Sequence, residues 1–155
     1  MTTARDRGHR AARVVRAAAL AGALSGAPSA VHALRTRQDP FAPTRAAGRI
    51  VRPDEHRLAP LIGAAAAVHA ALSLGWTVVI AATLPRSAGP ARTVLHGALV
   101  GAAIAGLDLG VAHALPHPRL AAIAELEVAP QLADHVAFGA VAGLLLIHRP
   151  GRTVS

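Results

Sequence analysis

The sequence predicts an all-α fold, a polytopic bundle of transmembrane helices, on three observations. The 155 residues are 53% hydrophobic and only 15% charged, whereas a soluble domain is about a quarter charged. Aromatic residues make up 2%, represented by Phe41, Trp76 and Phe138 alone. The apolar content is therefore alanine, glycine, leucine and valine, which suits close helix packing better than a bulky soluble core. Finally, the apolar residues fall into long runs separated by short connections rich in arginine and proline. One integral membrane domain covering 1–155 is the expectation at this length.

The first segment, about 14–34, is the least regular. Its "AAALAGALSGAPSAVHAL" (17–34) is marginal in length and interrupted by Gly26 and Pro28. A kinked spanning helix fits, because lipid tolerates a break whose freed backbone groups are served by neighbours. A re-entrant or surface segment is a second reading. A cleaved signal peptide, with its arginine-rich start and a Val-x-Ala pattern ending at Ala33, is a third. The apolar stretch before Ser25 is short and alanine-rich for a signal peptide, which favours the kinked helix. Four spans follow, or three if the segment is re-entrant or cleaved.

The connection 41–52 comes next. In "PTRAAGRIVR", Pro43, Ala46, Ala47 and Ile50 share helical spacing, with Arg45, Arg49 and Arg52 opposite. Such a short basic amphipathic helix is expected to lie on anionic headgroups, at about 1 kcal/mol per arginine.

The clearest span is 58–84, "LAPLIGAAAAVHAALSLGWTVVIAATL", where His69 is the one ionisable residue. It lacks the polar face of a soluble amphipathic helix and exceeds the roughly 20 residues needed to cross. The turn "PRSAGPAR" (85–92) predicts an antiparallel pair with the next span, 93–115, which carries His96, Asp108 and His113. "PRLAAIAELEV" (118–128) is a weaker surface helix. The last span, 129–148, opens "APQLADHVAFGAVAG" and holds Asp134 and His135.

Charge is distributed in keeping with this plan. The net charge is +8, and all sixteen basic residues are arginine, placed almost entirely in the tails and connections. A nucleic-acid module would instead carry a basic face with stacking aromatics, so no nucleic-acid partner is expected. The expected partners are the lipid bilayer and either a second copy or another membrane protein. Counting arginines does not fix orientation. Four spans put nine on the N-terminal side and seven on the other, whereas three spans would divide them twelve to four. With no cysteine, disulfides and thiolate chemistry are excluded. No cofactor or metal is expected, and no catalytic residue: P-loop, G-x-S-x-G, H-E-x-x-H and dinucleotide fingerprints are all missing.

Two patterns remain. Gly22 and Gly26, Gly97 and Gly101, Gly106 and Gly110, and Gly139 and Gly143 each form G-x-x-x-G, which allows helix backbones to approach closely in lipid. The second is a polar set at similar depth. With antiparallel spans, His32, Asp108, Asp134 and His135 fall in one half of the bilayer, Asp108 about 10 Å from its surface, and His69 lies near the middle. Asp134 and His135 point about 100° apart on a helix and need separate partners; Asp108 and His69 are the nearest by depth. A charged aspartate at the bilayer centre costs about 2.5–3.5 kcal/mol, so such residues require compensation. Asp134 has a simple alternative, an acid favoured by the macrodipole at the start of its own helix. For Asp108 the alternative is a buried interhelical hydrogen bond.

The stretches "GAPSAVHAL", "DPFAPTRAAG", "SLGWTVVIAATLP" and "APQLADHVAFGAVAG" resemble, in the same order, those of small uncharacterised four-helix integral membrane proteins of actinobacteria. The resemblance implies a four-helix membrane protein in a bacterial plasma membrane and carries no activity or ligand-binding residues with it. The expected role is a non-enzymatic membrane component or accessory subunit with a structural polar cluster. The alternative is proton- or cation-linked transport or sensing through Asp108, Asp134, His69 and His135.

Overall fold

The computed structural model describes residues 4–85 and 89–147. Among these residues it is helical throughout, with no strand: α1 (Ala4–Ser25), α2 (Ala27–Thr36), α3 (Ala42–Val51), α4 (Leu58–Thr83), α5 (Pro90–Ala114), α6 (Pro118–Ala124) and α7 (Val128–Leu146). The expectations placed on Arg86 and on the tail from His148 onward lie outside the described residues.

Proline sets many of the boundaries. It occupies a first-turn position in α2, α3, α5 and α6, where its missing N–H would have no intrahelical partner anyway. The extended residues Leu84 and Leu115 end α4 and α5 just before Pro85 and Pro116. Arg37 closes α2 in the left-handed region (φ 56°), and the Gln38 N–H donates to the Ala33 carbonyl at 2.9 Å.

Four helical stretches are long and apolar enough to cross a membrane: Ala4–Thr36, which is α1 with α2, and then α4, α5 and α7. The first stretch is a helix with a break at Gly26, and it is followed by α4 running back along α1. It begins well before residue 14: 33 residues of helix measure about 50 Å against a hydrocarbon core of about 30 Å. The excess is the arginine-bearing start of α1, exposed from Ala4 to Ala12.

The helices form a row, α4–α1–α7–α5, with α7 touching α1, α2 and α5 and only lightly α4. The turn after α4 does not produce the helical pair expected from its length. α4 and α5 meet near their joined ends, where His96 Nε2 lies 3.1 Å from Thr83 Oγ1, and the partner of α5 along its length is α7. Glycine decides this. A Cβ on Gly97 or Gly101 would collide with the carbonyls of Gly139 and His135, and one on Gly143 would come within 2.6 Å of the Thr93 carbonyl. Backbones this close leave no room for side chains between them.

Packing differs between the two halves of the row. Ala17, Ala21, Ile80, Phe138, Ala142 and Leu146 form an apolar core toward the N-terminal end of α1. Toward the other end, where α3 and α6 lie across the connections, polar side chains take over the helix contacts.

Candidate functional site

Polar contacts converge on the break in the first helix. Pro28 has no N–H to give to the turn before it, and the Ala30 N–H turns to the Gly26 carbonyl at 3.1 Å. The Ser29 N–H leaves the helix altogether and donates to Asp134 Oδ1 on α7 at 2.9 Å. One turn before Asp134, Gln131 Nε2 donates to Ser29 Oγ at 3.2 Å. From the other side, His69 Nε2 on α4 lies 2.8 Å from the Gly22 carbonyl, which also accepts from Ser25 Oγ at 3.0 Å. Because a carbonyl can only accept, Nε2 of His69 carries hydrogen. Gly22 makes this approach possible: a Cβ there would stand 2.7 Å from Ser73 Oγ. Backbone groups at the break thus find partners on both neighbouring helices.

Asp134 therefore caps the start of a helix, though not its own. It is the seventh residue of α7, whose first turn carries no acid. The macrodipole expected of α7 is supplied by α2, whose N-terminus is created inside the row by Gly26 and Pro28. A carboxylate accepting a helix N-terminal N–H is the favourable charge placement.

A second contact joins α5 and α7. His135 Nε2 lies 3.4 Å from Asp108 Oδ2, and His135 Nδ1 lies 2.8 Å from the Gln131 carbonyl on its own helix. Gly101 sits opposite His135, so Asp108 is seven residues out of register with it, about 10 Å along the axis. The gap closes because helical side chains tilt toward their own N-terminus. On antiparallel helices those tilts converge.

The remaining member of the expected cluster, His32, lies apart. His32 reaches outward to Glu127 at the start of α7, with Nε2 2.9 Å from Oε2 but off the line of a hydrogen bond. Gln38 Nε2 donates to the other Glu127 oxygen at 2.6 Å. The Gln38 amide chiefly, and His32 after it, hold the Glu127 carboxyl below the usual range. In the α3–α4 connection, hydrogen bonds from Arg57 hold Glu55 down to about 2. The five residues His32, His69, Asp108, Asp134 and His135 thus make four contacts, with Gly22, Ser29, Glu127 and one another, at three places along the row.

The glycine and arginine sets divide similarly. Gly97, Gly101, Gly139 and Gly143 pack in one seam and Gly22 in another, but Gly26, Gly106 and Gly110 face open space. Gly26 serves the break, and the 106/110 pair makes no helix contact. On α3, Ala46 and Gly48 are buried and Gly48 lies on the Leu61 backbone of α4. Arg45 is ion-paired with Asp39 at the surface. Arg49 is partly buried, with an unpartnered Nε, and Arg52 is exposed.

Sequence reading missed Gln131, Glu127 and Gln38. Gln131 was findable: it lies three and four residues before Asp134 and His135, on the same helical face. Among the described residues no group of three His, Asp or Glu side chains is placed to hold a metal ion. Comparisons with protein-family models, curated proteins and solved structures found no match.

Proposed function

We propose that the chain is a multi-pass protein of a bacterial cell membrane, acting as a non-enzymatic membrane component or accessory subunit. Its polar contacts hold a broken first helix in place. The observation that carries this reading is the convergence of Asp134, Gln131 and His69 on the Gly22–Ser29 break. Asp134 takes up the Ser29 N–H that the break frees, while Gln131 and His69 bond the Ser29 hydroxyl and the Gly22 carbonyl on either side of it. In lipid, where water cannot serve those groups, neighbouring helices must. The partners proposed are the bilayer itself and a second copy or another membrane protein, engaged through the exposed apolar faces of the row.

The test is expression of Asp134 variants in a bacterial host, read as protein retained in the membrane fraction. Asparagine keeps an oxygen that accepts the Ser29 N–H, so Asp134→Asn should accumulate near the wild-type level. Asp134→Leu, which has no acceptor, should be depleted. Equal accumulation of both would remove the structural role. A second reading, proton- or cation-linked transport or sensing, is favoured by the Asp108–His135 contact, which the break does not explain.

A further inference from the structure

The hydrogens at the Asp108–His135 contact can be counted. His135 Nδ1 faces the Gln131 carbonyl at 2.8 Å. That oxygen has no hydrogen to give, so Nδ1 supplies it. A neutral imidazole has one N–H, and Nε2 would then present a lone pair to Asp108 Oδ2 at 3.4 Å. Two acceptors would face one another across a gap too short for an intervening water. One added proton changes the contact from repulsive to attractive. It does so whether it rests on Nε2, giving imidazolium beside carboxylate, or on Oδ2, giving a carboxylic acid beside imidazole.

We propose that Asp108 and His135 form a proton-binding site in the α5–α7 seam, holding one proton between them. The ligand is a proton and not a metal ion, because a carboxylate and one imidazole nitrogen are two donors, and no third His, Asp or Glu joins them among the described residues. The site deepens the second reading above by naming its ligand. It does not depend on the structural role of Asp134, which faces α2.

The other ionisable groups nearby are few. On α7 itself, Asp134 is bonded to Ser29. From α4 comes His69, bonded to Gly22. On α2, Ser29 is neutral and His32 stands against Glu127. Nearer the end of α5, His113 Nδ1 lies 2.8 Å from the Leu109 carbonyl of its own helix. α6, packed on α5, carries Arg119, whose Nη1 is bonded to the Ile50 carbonyl, and Glu125 follows it. The contact sits beyond the Gly97–Gly139 crossing, so its proton fastens the part of α5 that glycine packing does not.

The experiment is nitrogen-15 NMR of histidine-labelled, full-length protein in lipid bilayers, titrated from about pH 5 to 9 so as to bracket ordinary histidine. Correlation through Asp134–His135–Val136 assigns His135 in the wild type, and carbon-13 labelling of aspartate reads Asp108. The expected result is a single proton gained by the pair within that range, seen on Nε2 or on the Asp108 carboxyl. Asp108→Asn should shift the His135 step by about one pH unit or more, since an opposite charge at this range moves a titration that far. A bare Nε2 beside an ionised Asp108 at every pH would overturn the proposal. So would a His135 step that Asp108→Asn leaves unmoved. Depletion of Asp134→Leu from the membrane beside normal accumulation of Asp108→Asn would separate this site from the structural role.

Discussion

At the scale of single residues, the decisive quantity is what each polar side chain offers the backbone. Asp134 accepts one N–H, and an N–H left unmade in an apolar setting costs about 1–3 kcal/mol. Interhelical hydrogen bonds in lipid lie toward the lower end, near 0.6 and up to about 1.7 kcal/mol. Asp134→Leu should therefore lower unfolding free energy in detergent by about 0.6–1.7 kcal/mol, and Asp134→Asn by less than half of that, as steric-trap or denaturant titration would measure. Glu127 offers a pH-dependent case outside the spans. Its carboxyl titrates below the usual range because Gln38 and His32 favour the charged form, so its contribution is present above the ordinary glutamate range and disappears as pH falls through the lowered one. Melting curves should show an acid-induced loss, beginning below about pH 4, that Glu127→Gln reduces and that Glu55, also held low, still contributes to. The sequence made Asp134 and Asp108 conspicuous, because an acid in an apolar run has few explanations. It could not name Ser29 as the partner, since the donor is a backbone group freed by a proline more than a hundred residues away.

At the scale of elements, the two breaks in expectation have one cause: glycine acts only where a neighbour takes up the space. G-x-x-x-G occurs in α5 at 97/101 and again at 106/110, and local sequence does not distinguish them. The seam with α7 does. Gly97→Ala places a methyl group into the Gly139 carbonyl and should cost about 1–3 kcal/mol through forced separation of α5 from α7. Gly106→Ala meets nothing within 4 Å and should be neutral or stabilising by up to about 1 kcal/mol, from helix propensity alone. Thermal melts of the two variants followed by circular dichroism in one detergent check both signs. The four apolar stretches themselves were legible because hydropathy and length are local properties. Which of them pair was not, because a short turn fixes only where two helices join. α3 shows the same limit: its amphipathic spacing was visible, but its contact with Leu61 of α4 and the capture of Arg45 by Asp39 were not.

At the scale of the whole molecule, the proposed function requires the first helix to cross despite its break. The structure runs α1 and α2 antiparallel to both α4 and α7, with the apolar core at one end and the polar contacts at the other. This arrangement places the arginine-bearing start of α1 and the basic α3 at opposite ends of the row. It also accepts the less lopsided of the two arginine distributions, nine to seven by sequence. The break and its polar partners explain how a stretch interrupted by glycine and proline keeps the length and apolar character of a span: its freed groups are served by residues on the helices that flank it. The most direct test uses the absence of cysteine as a clean background. Single substitutions Gly8→Cys and Asp54→Cys, both at exposed positions, would be labelled in intact cells with a membrane-impermeant thiol reagent and compared with lysed cells. A first helix that crosses puts the two sites on opposite faces, one site labelled in intact cells and the other only after lysis. Labelling of both sites from the same side would mean that the first helix does not cross, and would contradict the proposed function.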